Sequence, residues 1–291
     1  MQASGASPAA AEAVSAHLPA GEDFPRVDDH LVEPEVTRDQ VIDGQLVEKM
    51  PAEIDHAREN SRLDYVLSGK VAPGYGTAVD LLSRLGKKVD FASDAAIVKD
   101  GTDPATGGRY LEELAFEVVS TQSESKFTEK AVKMHRRGVR RIFAIFVEED
   151  EAENKICEWV PAKRTWKEHD RASSIDDPVL VEPLEVQALF DAVAADNAVV
   201  SALDAKGNPK IEEIRAESRA EGEAAGEAKG RADGELAATA KAILSILKAR
   251  GLEPSDTVQE RVRSSTELDL LQRWLQRAAT ASSADELLEE P

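Results

Sequence analysis

Residues 113–146, ELAFEVVSTQSESKFTEKAVKMHRRGVRRIFAIF, contain two apolar runs separated by a polar stretch rich in lysine and arginine. Each apolar run has the length of a buried strand. The stretch between them predicts a helix that ends at Gly138, because glycine commonly follows the last residue of a helix. Strand, helix and strand in this order predict a βαβ crossover between parallel strands.

The residues before this crossover predict antiparallel strands. Asp43-Gly44 between short apolar runs is a strong hairpin signal. Residues 52–71 have the spacing of an amphipathic helix, and residues 76–101 contain further strand segments. Residues 155–169 predict an edge strand and a turn. Together these patterns indicate a mixed α/β domain.

Composition excludes several classes of protein. The chain has 291 residues, a formal charge of −20 and one cysteine, Cys157, so an intrachain disulfide and a cysteine-rich zinc site are excluded. Its five histidines lack the spacing of a zinc hydrolase. We expect no membrane span, since no apolar run reaches about 18 residues. The N-terminus does not resemble a signal peptide, and the expected location is the cytoplasm.

Regions outside the α/β domain have different compositions. Residues 1–33 are rich in Ala, Ser, Pro and Glu, and we expect a disordered tail there. Residues 170–210 predict a linker with a short helix, and residues 211–291 predict a helical arm followed by a small helical module. Within the arm, glycine recurs every four residues from 222 to 234. This spacing fits either a weak, solvated helix or a seam against which another backbone packs.

Two carboxylates lie in apolar surroundings. Asp94 opens the run DAAIV, and Glu117 interrupts LAFEVV. A carboxylate buried in a sheet is costly unless it is paired or binds a metal. On neighbouring strands, two of them would form a hard oxygen site suited to Mg²⁺ or Mn²⁺. Taken singly, each also has an ordinary interpretation, as a strand-end cap or a solvent-facing side chain.

The order of these residues resembles that of the PD-(D/E)XK nuclease superfamily. The resemblance covers about residues 36–165 and is carried by Asp94 in SDAAIVKDG, Glu117 in FEVVS, and FTEKAVKMHRRGVRRIFAIF. It is greatest to a compact bacterial restriction endonuclease family. The superfamily usually has a lysine two residues after the glutamate, where this chain has Val119. In the bacterial family that lysine has moved into the following helix, where this chain has Lys130.

The opening of the domain adds to the resemblance. Residues 41–63, VIDGQLVEKMPAEIDHARENSRL, are similar to the family's first hairpin and helix, and His56 stands where that family often has a histidine. Ser93 replaces a motif proline that is not a ligand.

The resemblance implies a fold and a function. Residues 34–169 would form a restriction-endonuclease-like α/β domain, with a mixed sheet core flanked by helices and a C-terminal all-helical extension. The implied function is metal-dependent hydrolysis of phosphodiester bonds in DNA. Asp94, Glu117, Lys130 and His56 would be catalytic, and Asp94, Glu117 and the Val118 carbonyl would hold Mg²⁺ or Mn²⁺.

The expected partners are DNA and a second copy of the chain, bound through the C-terminal helices. The alternative is a catalytically inactive nuclease-fold module that binds nucleic acid or a protein through its helical tail.

The helix of the crossover is strongly basic although the chain is acidic. We expect this segment either to contact phosphates or to be a solvated helix that balances the acidity. Its seven basic residues are Lys126, Lys130, Lys133, Arg136, Arg137, Arg140 and Arg141.

Overall fold

The computed structural model describes residues 24–34, 36–37, 39–48, 54–119, 124–148 and 150–288. The chain forms two compact units, Met1–Asn208 and Pro209–Pro291. None of the helices in the described ranges is long and apolar enough to cross a membrane.

The first unit is built on an eight-stranded mixed sheet, as predicted. Its strands are β1 (Gln40–Ile42), β2 (Gln45–Val47), β3 (Tyr75–Gly86), β4 (Val89–Lys99), β5 (Glu112–Val119), β6 (Arg141–Phe146), β7 (Lys155–Val160) and β8 (Thr165–Glu168). The strand order is β2-β1-β4-β5-β6-β7-β8, and β3 pairs with β4. The helices are α1 (Ile54–Lys70), α2 (Glu124–Arg137) and α3 (Ala192–Ala205). A separate small sheet contains β9 (Ser174–Ile175) and β10 (Leu184–Glu185).

The predicted βαβ crossover is confirmed. Strands β5 and β6 are parallel, and α2 connects them. Gly138 follows α2 with φ +118°, a conformation that favours glycine. The Gly138 N–H donates to the His135 carbonyl at 3.0 Å, and the Val139 N–H donates to the Met134 carbonyl at 3.1 Å. This pair of bonds ends the helix as a Schellman motif.

The predicted Asp43-Gly44 hairpin is also confirmed. Ile42 pairs with Gln45, so the connection between β1 and β2 has two residues. Both have positive φ, 52° for Asp43 and 85° for Gly44, as a type I′ turn requires.

Apolar side chains cover both faces of the sheet. On one face, Leu63 of α1 and Ala198 of α3 share a core with Phe116 and Phe143. On the other, α2 packs through Phe127 into a second core. The sheet therefore has buried residues on both sides, which explains the nearly continuous apolar runs of β5 and β6.

Strand β4 changes partner along its length. It pairs with β5 from Val98 to Ala95, where the last partner is Phe116. Further towards its start, it pairs with β1 through Asp90 and Val41. The two strands β4 and β5 therefore separate just beyond Ala95 and Phe116. We call this opening the fork.

Residues 170–208 belong to the first unit, so the prediction of a linker over residues 170–210 requires correction. Apolar residues of this stretch, including Val179 and Leu184, are buried in the core beside α1. The buried carboxylate of Asp177 accepts hydrogen bonds from Arg140 at 2.6 Å and from Arg141 at 3.0 Å. The polar composition of this stretch predicted a linker. The contacts that hold the stretch in place are made with residues far away in the chain, so they leave no pattern in the local sequence. The predicted short helix is present as α3.

We predicted a disordered tail over residues 1–33. Residues 24–33, the described part of it, pack on the first unit. Val27 is 3% exposed, and its carbonyl accepts from the Arg84 N–H at 2.8 Å. The Leu31 N–H donates to the buried carboxylate of Asp90. Residues 1–23 of the predicted tail lie outside the described residues.

The second unit contains the predicted arm and helical module. Helix α4 (Pro209–Ala249) is followed by α5 (Asp256–Ser264) and α6 (Leu268–Ala278), and Ile243, Leu247, Val262, Leu271 and Trp274 lie in their common core. The core holds only the last third of α4, and every residue from 212 to 235 is exposed. Four glycines occur in this exposed part, and each costs about 1 kcal/mol relative to alanine in a helix interior.

Asp177 offers a test of how residues 170–208 are held. Asp177→Asn removes the charge that Arg140 and Arg141 share, and should lower the free energy of unfolding by about 3 kcal/mol. Asp43→Asn is the matched control, since Asp43 is 71% exposed and pairs only with Lys133 among the described residues. We expect less than about 0.5 kcal/mol for the control. Equal losses in urea unfolding would contradict the proposed clamp.

The same carboxylate gives this stability a pH dependence. Burial opposes its ionisation, but hydrogen bonds from Arg140 and Arg141 outweigh burial and lower the pKa of Asp177. The contribution should be present above about pH 4, the pKa of an unfolded aspartate, and lost as the pH falls through the lower folded pKa. The difference in unfolding free energy between wild type and Asp177→Asn should therefore shrink in acid.

Candidate active site

Asp94 and Glu117 lie in the fork. Asp94 immediately precedes Ala95 in β4, and Glu117 follows Phe116 in β5, so they continue the last paired positions of the two strands. Both residues are 5% exposed. The Val118 N–H donates to Oδ2 of Asp94 at 2.9 Å. Asp94 thus satisfies a backbone donor of β5 at the point where β4 turns away.

Lys130 reaches the fork from α2. Its Nζ donates to Oε1 of Glu117 at 2.6 Å and to the Ala92 carbonyl at 3.0 Å. Phe127 and Met134 of α2 are buried, and Lys130 lies three residues after one and four before the other. It therefore occupies the inward face of the helix. Lys130 thus faces the Glu117 carboxylate and not solvent.

His56 of α1 completes the group. Its Nε2 lies 3.7 Å from Oδ2 of Asp94, and its side chain is 16% exposed. This distance exceeds that of a hydrogen bond but permits an electrostatic contact. The structure therefore brings together the four side chains that the sequence predicted, from α1, β4, β5 and α2.

Two contacts in the fork have no signal in the sequence. The Ala92 carbonyl accepts from Lys130, and the ring of Phe91 lies 5.1 Å from the Lys130 Nζ. A backbone acceptor can belong to any residue, so its position depends on the register of the strands. Phe91 lies between Asp90 and Ala92 in the sequence, and this short segment has no pattern that points to a contact with Lys130.

The donors of the fork are suited to a hard cation. In the described ranges, no group of three or more His, Cys, Asp and Glu side chains comes close enough to hold a metal. Two carboxylates are nevertheless a usual protein contribution to Mg²⁺, which keeps several waters and binds substrate phosphate oxygens. The residues therefore fit Mg²⁺ or Mn²⁺ better than a metal that needs a cage of protein ligands.

Most of the basic segment makes contacts within the protein. Lys133 donates to the Asp43 carboxylate at 2.8 Å, and Arg137 is buried and donates to the Arg84 carbonyl at 3.1 Å. Lys130 pairs with Glu117, and Arg140 and Arg141 with Asp177. Lys126 and Arg136 are the exposed members. These contacts argue against a phosphate-contacting face along the whole segment.

Lys130 and Lys133, three residues apart on α2, allow a controlled test of the buried pair. Lys130→Ala leaves Glu117 buried without its cation and should lower the free energy of unfolding by about 3–5 kcal/mol. Lys133→Ala breaks a pair with the exposed Asp43 and should cost about 1 kcal/mol or less.

The double variant Glu117→Gln, Lys130→Met removes both charges and should recover part of the loss. Thermal or urea unfolding without divalent metal measures all three variants. Similar losses for the two single lysine variants would refute a buried ion pair at Lys130.

Comparisons with known proteins give a limited result. No family model matches the chain, and no curated protein matches it. Among solved structures it is similar to "a putative nuclease belonging to DUF820 from Anabaena variabilis ATCC 29413", at a TM-score of 0.42 and 15% sequence identity. The match covers 52% of this chain and 89% of that one.

Proposed function

We propose that this chain is a metal-dependent endonuclease of the PD-(D/E)XK type, which hydrolyses phosphodiester bonds in DNA. The observation that supports the proposal most is the contact of Lys130 with Glu117 beside Asp94. A lysine on a helix is expected to face solvent unless its ammonium has a buried partner. Here its partner is the buried carboxylate of Glu117, which supports the role that the sequence resemblance implies for Lys130.

The metal would be held by Asp94 and Glu117 together with the Val118 carbonyl. The N–H of Val118 points towards Asp94, and the N–H and C=O of one strand residue point to the same side of the strand. A bound Mg²⁺ or Mn²⁺ would neutralise phosphate charge and lower the pKa of water. The fork itself supplies the oxygen donors and a site shielded from bulk solvent.

Lys130 and His56 have separate roles in this proposal. The ammonium of Lys130 carries three donors, of which two are directed to Glu117 and to the Ala92 carbonyl. A cation held there can orient the attacking water and stabilise the negative charge that develops on the phosphate. His56, beside Asp94, would line the site and help to orient that carboxylate.

DNA cleavage by the full chain tests the enzyme. With Mg²⁺ or Mn²⁺, wild-type protein should cut duplex DNA, and Asp94→Ala or Lys130→Ala should reduce the rate by about 10³-fold or more. Lys133→Ala is the control on the same helix and should keep most of the activity. Cleavage that survives in Asp94→Ala would show a contaminating nuclease, and no cleavage by the wild type would refute the activity under these conditions.

The alternative is an inactive nuclease-fold module that acts through its helical tail. The observation in its favour is the separate core of the second unit. Calorimetry with Mn²⁺ distinguishes the two proposals. The enzyme should bind the metal and lose that binding in Glu117→Ala, whereas the inactive module should show no difference between the two proteins.

A further inference from the structure

One face of helix α4 has a regular charge pattern. Two residues that are seven positions apart differ by only about 20° around an α-helix, so a series of five spans about 80°. Starting at residue 220, the sevenfold series is Ala220, Glu227, Gly234, Lys241 and Lys248. In this series the charged residue before Gly234 is acidic, and both residues after it are basic. Glu227 and Lys241 are each seven residues from that glycine.

Intervening residues on the same face continue the pattern. Glu223 and Gly230 lie on the acidic side, and Ala237 and Ser245 on the basic side. All nine residues of this face are exposed, whereas the core residues Ile243 and Leu247 lie on the opposite side of the helix. We call these nine residues the α4 face.

A groove runs along the basic half of the α4 face. It has a volume of about 600 Å³. Lys241, Ser245 and Lys248 of the α4 face line it, and Gln259 and Arg263 of α5 form the other wall. Three cations and one acid, Glu253, therefore surround a floor that contains Leu244. Such a groove is complementary to a helix that presents carboxylates beside small residues.

The acidic half of the α4 face presents carboxylates beside small residues. Glu223 and Glu227 project from it, and a Cβ added at Gly230 or Gly234 would meet no atom within 4 Å. This half is also the part of α4 without a core of its own. Its described ion pairs, such as Arg231 with Glu227 at 3.1 Å, are exposed and contribute little. A helix of this composition needs a partner to be stable.

We propose that the α4 face is the interface of a two-fold symmetric homodimer, in which two copies of α4 lie antiparallel with Gly234 at the axis. In this arrangement Glu227 of each copy faces Lys241 of the other, and Glu223 faces Ser245. Position 220 of each copy faces Lys248. Such an interface is self-complementary, as two-fold symmetry requires. A parallel pair would instead place Lys241 against Lys241.

The sequence predicted a homodimer formed through the C-terminal helices, and the α4 face would be its interface. It is independent of the nuclease proposal, because its test measures mass and cross-linking rather than activity.

Sedimentation of the full chain with exchanged charges tests the pairing. Wild type should be a dimer, and Glu227→Lys or Lys241→Glu alone should raise its dissociation constant about ten-fold or more. The double variant Glu227→Lys, Lys241→Glu restores opposite charges at both symmetry-related contacts and should dimerise like the wild type. A monomeric wild type would overturn the proposal, and so would a double variant as weak as the single ones.

Cysteine cross-linking tests the direction of the helices. The one native cysteine, Cys157, is buried and is not part of a disulfide, so it gives little background. Gly234→Cys should form a disulfide-linked dimer under mild oxidation, because only a residue at the axis meets itself in an antiparallel pair. In Gly230→Cys, the two cysteines would lie about 12 Å apart along the axis and should not link. Linking of both variants would show a parallel pair and overturn the proposal.

Discussion

The ion pair between Lys130 and Glu117 is the contact on which the arrangement of the fork depends. Both side chains are almost fully buried, and their nitrogen and oxygen atoms are 2.6 Å apart. Neither charge could remain in this place alone, because an unpaired buried charge costs several kcal/mol. The pair therefore ties the position of α2 to that of β5. Since the same lysine also holds the Ala92 carbonyl, it ties β4 to both.

The fork would be unfavourable without the side chains that we assign to the site. Where two strands separate, their backbone groups lose partners, and buried groups without partners are costly. Asp94 accepts from the Val118 N–H, and Lys130 donates to the Ala92 carbonyl. Each of these side chains thus satisfies a backbone group that the separation exposes. If the fork is the proposed active site, variants at both positions lose stability and activity together, and the stability of a variant has to be known before its rate is interpreted.

The sequence predicted features that depend on local order. The crossover and the Asp43-Gly44 turn follow from alternation and turn residues within short segments. The convergence of Asp94, Glu117 and Lys130 was instead implied by the resemblance of their order to that of the PD-(D/E)XK nuclease superfamily. The packing of residues 170–208 was not predictable in this way, because Asp177 and Arg140 are 37 residues apart and their contact has no local pattern. The same limit applies to the basic segment. Its charges fitted either a phosphate-contacting face or a solvated helix, and the partners that most of them have come from distant segments of the first unit.

The contacts of these basic residues within the protein bear on how DNA, the proposed substrate, would be bound. A protein that binds DNA through a broad cationic surface neutralises many phosphates at once. Here the formal charge is −20, and at least five of the seven basic side chains around α2 have partners within the protein. Attraction for the proposed substrate would therefore come mainly from the metal. Binding of this kind is confined to the phosphates at the fork, so it should depend more on the divalent ion than on the concentration of monovalent salt.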